Sequence, residues 1–163
     1  MNTKNKKLKI AIAGIGFGKK VHLEALKESH YLTPAAIYHY EKSNKTILEK
    51  ETGLEFFHYW ENLVKSPEID GIIIATPPES RFKLAKQALE NNKNLLLEKP
   101  VSISSSEIEE LQRISLINNL SVCVDFEYRA VPLFLQTKKL IDENILGDIY
   151  LVKLDWLMGS RSD

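Results

Sequence analysis

The chain has 163 residues, with 22 basic and 22 acidic side chains, 44% apolar residues and a single cysteine. Balanced charge leaves no basic field for nucleic acid and no polybasic patch for lipid, and no apolar run is long enough to span a membrane. The length suffices for one ordinary domain with its own core. Cys123 cannot form a disulfide within the chain, which fits a reducing cytoplasm. Its neighbours Val122 and Val124 predict a buried core thiol rather than a nucleophile. Met1–Lys7 has the charge of a signal peptide's first region. The apolar run that follows is short, broken by glycines and leads into Lys19-Lys20, so it reads as a strand.

That strand is Leu8–Ala13, apolar on both faces over Ile10–Ala13, the pattern of a parallel strand covered on two sides. It runs into Gly14-Ile15-Gly16-Phe17-Gly18. Glycines there let backbone N–H groups approach a pyrophosphate, and a helix expected from near Lys19 to Ser29 adds its positive N-terminal end. Alone, such a turn is a weak signal. Ala35–Tyr38 is a short second strand, Lys42–Thr52 a polar helix stopped by Gly53, and Glu55–Tyr59 a further short strand. Trp60–Ser66 is a helical turn or two, closed by Pro67.

Ile69–Ala75 is the most strand-like run, with a β-branched centre. Thr76 is placed to cap the next helix, Pro77 suits its first position, and Glu79 completes a capping box. That helix runs to about Glu90, and Asn91-Asn92 tolerate a left-handed stop. Asn94–Leu97 is a strand ending in Glu98-Lys99-Pro100. Ser104 with Glu107 predicts a second capping box, followed by Ile108, Leu111, Ile114 and Ile117 as one apolar stripe. Ser121–Val124 is another strand and Pro132–Glu143 another helix. Asp148–Leu157 alternates, with Tyr150, Val152, Leu154 and Trp156 on one side. Strands and helices alternate to about residue 125, which predicts an α/β architecture: an open, doubly wound parallel sheet.

Three strand ends are unusual: the glycine turn, Ala75-Thr76-Pro77-Pro78, and Glu98-Lys99-Pro100. In a parallel sheet they share one edge, where ligands bind. Lys99 is the sharpest catalytic candidate. It could hydrogen-bond a substrate hydroxyl, stabilise a developing alkoxide or shuttle a proton, or it could be half of a solvated Lys–Glu pair. Pro100 restricts Lys99 to extended geometry, and the sequence leaves the isomer of their bond open. No His, Cys and Asp cluster has metal-ligand spacing, so no metal is expected, and His22 and His30 read as packing or surface residues.

Gly14–His22, Ala75–Pro78 with Ala85 and Ala88, and Leu96–Val101 together resemble the N-terminal domain of the glucose–fructose oxidoreductase / inositol 2-dehydrogenase / MocA (Gfo/Idh/MocA) family. Phe126-Glu127-Tyr128-Arg129 with Pro132, then Leu146–Ile149, extend the likeness over nearly the whole chain. The resemblance implies a Rossmann-type domain over residues 1–125 and NAD(P)-dependent hydride transfer at a sugar or polyol carbinol. It implies a cofactor against Gly14, Ile15, Gly16, Phe17, Gly18, Tyr38, Ala75, Thr76, Pro77, Glu98, Lys99 and Arg129. Gly14 and Gly16 would approach the pyrophosphate, Thr76 and Pro77 line the trough, and Glu98 contact ribose or nicotinamide. Lys99 would sit at the reacting carbon and Arg129 flank the nicotinamide or substrate.

The chain departs from the family pattern in places. Lys19 stands where a third small residue is common, so the first helix is expected to start farther from its strand. Arg81 replaces a common histidine; a surface position is favoured over a reach toward phosphate or substrate. No acid stands at Tyr38-His39-Tyr40, and Lys42 and Lys45 follow. That tilts weakly toward NADP, although both lysines also read as surface charges.

Residues 126–163 read as a connecting helix and the first strand of a second, α+β substrate and oligomerisation domain. The resemblance implies homo-oligomers for full-length relatives. The expectation is a shortened family member or gene fragment that binds dinucleotide and turns over poorly unaided. The alternative is a non-catalytic dinucleotide-binding or interaction module. A methyltransferase is opposed by the Glu98-Lys99-Pro100 motif and by the lack of an acid before Gly14.

Overall fold

The computed structural model describes residues 6–155 and 157. Among the described residues six strands are present: β1 Leu8–Ala13, β2 Leu32–Tyr38, β3 Glu55–Phe57, β4 Gly71–Ile74, β5 Asn94–Leu97 and β6 Val122–Val124. The helices are α1 Leu23–Glu28, α2 Lys45–Thr52, α3 Trp60–Lys65, α4 Pro78–Glu90, α5 Ser105–Ile117 and α6 Pro132–Asp142. Every strand pairing is parallel, in the order β3-β2-β1-β4-β5-β6. The chain moves outward from β1 to β3, then crosses back to β4 on the other side of β1. That reversal leaves a crevice between the ends of β1 and β4, where doubly wound sheets bind ligands.

The apolar runs explain the layering. Ala11, Ala13, Ile72, Ile74, Leu95 and Leu97 face a core that includes Leu63 and Val64 of α3, Ala85 and Leu89 of α4, and Leu111 of α5. On the other face, Ile10, Ile12 and Ile73 meet Leu23 and Leu26 of α1. Each large side chain removed from water contributes about 1.5–3 kcal/mol.

Several expectations are refined. The strand expected from Ala35 begins at Leu32. Pro34 has no N–H to donate, and the ladder shifts there, from Ile10 opposite Pro34 to Ala11 opposite Ala36. The first helix starts earlier than Lys19, as a π-helical turn over Gly18–His22 that continues into α1. Neither capping box closes. Pro77 is the cap residue of α4 and Pro78 its first helical position, while Thr76 Oγ1 accepts the Ser80 hydroxyl at 3.1 Å. Before α5, Ser102 Oγ donates to Glu107 and accepts the Ser104 N–H at 3.0 Å, the bond Glu107 would make in a capping box. Of the α5 stripe, Leu111 and Ile114 are buried but Ile108 and Ile117 are exposed. A strict three-residue spacing drifts about 60° per step around a 3.6-residue helix, so its ends leave the core face.

Cys123 is exposed, not buried. It lies on edge strand β6, whose alternate residues Val122 and Val124 are half-buried, with Val122 packed on the core. The chain divides into two compact units between Asp125 and Phe126. The second holds a 3₁₀ turn over Glu127–Ala130 and helix α6, with the rings of Tyr128 and Phe134 edge to face at 6.3 Å. Residues 148–155 have no strand, despite their alternation. Alternation fixes which side chains share a face, whereas a strand also needs a ladder partner. Trp156 and the Arg161-Ser162-Asp163 end lie outside the described residues. Among the described residues no helix is long and apolar enough to cross a membrane.

Candidate functional site

Sheet register assembles the site. Ala13 pairs with Ile74, Ile74 with Leu97, and Leu97 with Val124. The next residue on each strand therefore falls in one row: Gly14, Ala75, Glu98 and Asp125. Backbone bonds continue the ladder into that row, from Ala75 N–H to Ala13 O (2.7 Å), Glu98 N–H to Ile74 O (3.1 Å) and Asp125 N–H to Leu97 O (2.9 Å). Tyr38 pairs with Ala13 on the other side, and its carbonyl accepts the Gly14 N–H at 3.4 Å.

The three turn glycines have three separate reasons to be glycine. Gly14 has φ +116°, and a Cβ there would lie 2.5 Å from the Ala75 carbonyl oxygen. A Cβ on Gly18 would lie 2.9 Å from Ile12 Cγ2 and 3.3 Å from Ala75 Cβ, so Gly18 lets the first helix press against β1 and β4. Gly18 thus takes the close-packing role, and Lys19 in the following position does not push the helix away. A Cβ on Gly16 would meet nothing within 4 Å. Gly16 is exposed, between half-buried Ile15 and exposed Phe17. Its backbone is open to an incoming group. A tight turn, a bare backbone and a close-packed helix start fit the diphosphate of a dinucleotide.

Beside the turn, Glu98 is buried and Lys99 exposed. Glu98 Oε1 lies 2.8 Å from His22 Nε2, and its Oε2 accepts the Lys99 backbone N–H at 3.2 Å. Asp125 Oδ2 is 3.7 Å from the same imidazole nitrogen. His22 is buried, and Phe17 meets it edge to face at 5.4 Å. The ligand atoms of His22, Glu98 and Asp125 lie within 4.8 Å of one another, a spacing a divalent ion could bridge. These residues are far apart in sequence, which is why no spacing motif announces them. The Lys99–Pro100 peptide is cis.

Arg81 corrects the surface expectation. It is 4% exposed. Its Nη1 donates to the carbonyls of Glu98 (2.5 Å) and Pro100, and its Nη2 to that of Thr76. Its Nε is buried with no hydrogen-bond partner. Burial lowers the guanidinium pKa, with Glu98 and then Glu79 opposing that shift.

Tyr38 is half-buried against Trp60, with ring centroids 4.9 Å apart, and burial pushes its phenol pKa up. Beyond it, Asn44 Nδ2 bridges His39 Nδ1 (2.9 Å) and Glu41 Oε2 (3.0 Å). Gly14–Gly18, Tyr38, Ala75–Pro77, Glu98 and Lys99 all border the strand ends of the first unit. Arg129 lies in the second unit, exposed, its N–H bonded to Phe126 O. A cavity of about 310 Å³ opens at the opposite strand ends, among Leu8, Ile10, Leu32, Gly71, Asn94 and Ser121. It lies away from the glycine turn and Lys99, and the strand-end row is the better candidate.

Residues 8–126 match the Gfo/Idh/MocA family model, described as an oxidoreductase family with an NAD-binding Rossmann fold. An uncharacterized oxidoreductase, sll0816 of Synechocystis, is 36% identical over 162 residues, covering 99% of this chain and 44% of that protein. Glucose-6-phosphate 3-dehydrogenase of Bacillus subtilis is 28% identical, covering 93% of this chain and 43% of its own length. The structure of scyllo-inositol dehydrogenase from Lactobacillus casei, with bound NAD(H) and scyllo-inositol, superposes with a TM-score of 0.80 at 25% identity. That superposition covers 88% of this chain and 43% of the other. The chain therefore spans less than half the length of these relatives.

Proposed function

Because this chain belongs to the Gfo/Idh/MocA oxidoreductase family through its NAD-binding Rossmann fold, we propose that it binds a nicotinamide dinucleotide along the row Gly14, Ala75, Glu98 and serves hydride transfer at a sugar or polyol hydroxyl. The observation that carries this reading is the open backbone at Gly16, two residues beyond Gly14 in the row that also holds Ala75 and Glu98, with Lys99 following Glu98. The nicotinamide supplies or accepts the hydride when bound. The chain's own groups do the rest. Backbone N–H groups at Gly16 and the helix start receive the diphosphate. Thr76 and Pro77 border the trough. His22 fixes the Glu98 carboxylate, which holds the Lys99 backbone. Lys99 orients the substrate hydroxyl and assists loss of its proton.

NADP is the finer proposal, supported by Lys42 and Lys45 and by the lack of an acid at Tyr38-His39-Tyr40. Residues 126–163 we assign to the stretch leading into the substrate and oligomerisation domain of the longer relatives, with Arg129 flanking the nicotinamide or substrate. An exposed lone thiol at Cys123 supports a reducing, cytoplasmic setting.

Fluorescence titration with NADPH and NADH tests the proposal, on wild type and Lys99→Ala. Both proteins should bind, within about threefold of each other, with NADPH preferred, and whatever polyol-dependent reduction wild type shows should fall about 10²-fold or more in Lys99→Ala. Failure of wild type to bind either dinucleotide refutes the proposal.

A further inference from the structure

We propose that Arg81 is a positioning residue: from helix α4 it locks the Thr76–Pro77 loop and the Glu98–Pro100 loop at a fixed separation, and so sets where Lys99 stands. The inference rests on the reading of those loops as the dinucleotide edge.

One guanidinium serves three backbone carbonyls, on Thr76, Glu98 and Pro100. The first follows β4 and the other two follow β5, just past the last ladder bond between those strands, from Glu98 N–H to Ile74 O. Their common anchor is α4, whose Ala85 and Ala88 are fully buried against the sheet. Arg81 lies one and two turns ahead of those alanines on the same helix face, so its Cα is held by the core itself. The planar fork presents Nη1 to one loop and Nη2 to the other, a fixed spread that the single nitrogen of a lysine ammonium does not have and an apolar side chain cannot replace.

Stability alone is a poor reason for this residue. Burying a guanidinium against carbonyls carries a desolvation cost that a well-packed apolar side chain would avoid. What the arginine adds is geometry. Beyond the ladder bond at Glu98, one guanidinium ties the two loops to a single point through the Thr76, Glu98 and Pro100 carbonyls. A hydride site tolerates little looseness, because a displacement of about 1 Å can cost roughly 10²-fold in rate.

The test uses the full chain with Arg81→Met, Arg81→Lys and a destabilised control outside the two loops, Leu63→Ala on α3. Amide hydrogen exchange without ligand is followed by mass spectrometry, and NADH and NADPH affinities are measured well below each melting temperature. Arg81→Met should speed exchange tenfold or more at residues 76–80 and 98–102, leave β1 and α5 as protected as in wild type, and weaken dinucleotide binding tenfold or more. Arg81→Lys, which keeps the charge but only one donor nitrogen, should fall between Arg81→Met and wild type in both readouts, and it carries the test if Arg81→Met does not fold. Leu63→Ala should melt earlier while changing neither local exchange nor affinity. Unchanged exchange at the two loops in the Arg81 variants, or an equal rise in Leu63→Ala, overturns the proposal. Should wild type bind neither dinucleotide, the functional reading fails separately and the exchange pattern alone decides for or against Arg81.

Discussion

Replacing Gly14 by alanine gives the sharpest test of how the turn is built. The new Cβ would lie 2.5 Å from the Ala75 carbonyl oxygen and 2.8 Å from its carbon. An ordinary carbon–oxygen contact is about 3.3 Å or more, so the turn and the end of β4 would have to separate by about 0.8 Å. The backbone at φ +116° adds strain of about 1–3 kcal/mol for a residue with a side chain. Overpacking adds about 1–3 kcal/mol, and the stiffer unfolded chain returns about 0.4–1 kcal/mol. The net loss is about 1–6 kcal/mol, centred near 3, or roughly 2–22 °C in melting temperature for a chain of this size. Gly16→Ala is the matched control, because its Cβ meets nothing within 4 Å. It should melt within about 2 °C of wild type while binding NADH more weakly. Thermal unfolding by circular dichroism compares the two. Equal melting temperatures, or a Gly14→Ala loss below about 1 kcal/mol, refute the close approach of Gly14 to Ala75.

Two further outcomes follow from buried polar groups. Lys93 is buried, and its Nζ donates to the carbonyls of Ser66 and Ile69, each at 2.7 Å. Lys93→Met should cost about 1–3 kcal/mol in urea unfolding at pH 7. Burial lowers the Lys93 pKa below its ordinary 10.5, against an opposing pull from Asp70. The folded chain therefore sheds this proton before the unfolded chain does. Wild-type stability should gain on Lys93→Met as pH climbs through the depressed pKa toward 10.5, and a shrinking gap contradicts the assignment. His22→Ala removes the imidazole between Glu98 and Asp125, so buried Glu98 Oε1 loses its hydrogen-bond partner while Oε2 keeps the Lys99 N–H. It should cost about 2–4 kcal/mol at neutral pH, and a loss under about 1 kcal/mol in the same unfolding assay means the cluster does not hold the strand ends.

What was legible in the sequence were features carried by neighbours in the chain. The Leu8–Ala13 run with its glycines, the Ile72-Ile73-Ile74 centre of β4 and the Glu98-Lys99-Pro100 strand end all declare themselves locally. The open, doubly wound parallel architecture followed because alternating strands and helices leave few topologies. What escaped depends on partners remote in sequence. Arg81 reads as a surface cation until its spacing from Ala85 and Ala88 is noticed, which places it on the buried helix face. His22 likewise shares a helix face with Leu26. Cys123 misled because an apolar run on an edge strand covers only one of its two faces. The 148–155 alternation misled because a face pattern carries no information about a pairing partner.

The contact between Gly14 and Ala75 has a consequence for synthesis. The turn is shaped against a residue roughly sixty positions later in the chain. At about 5–20 residues per second, β1 and its glycines wait roughly 3–12 s on the ribosome before β4 arrives to complete them. A nascent chain therefore carries the glycine motif well before it can grip a ligand, and the first moment at which a cofactor could aid folding falls after β4 has emerged.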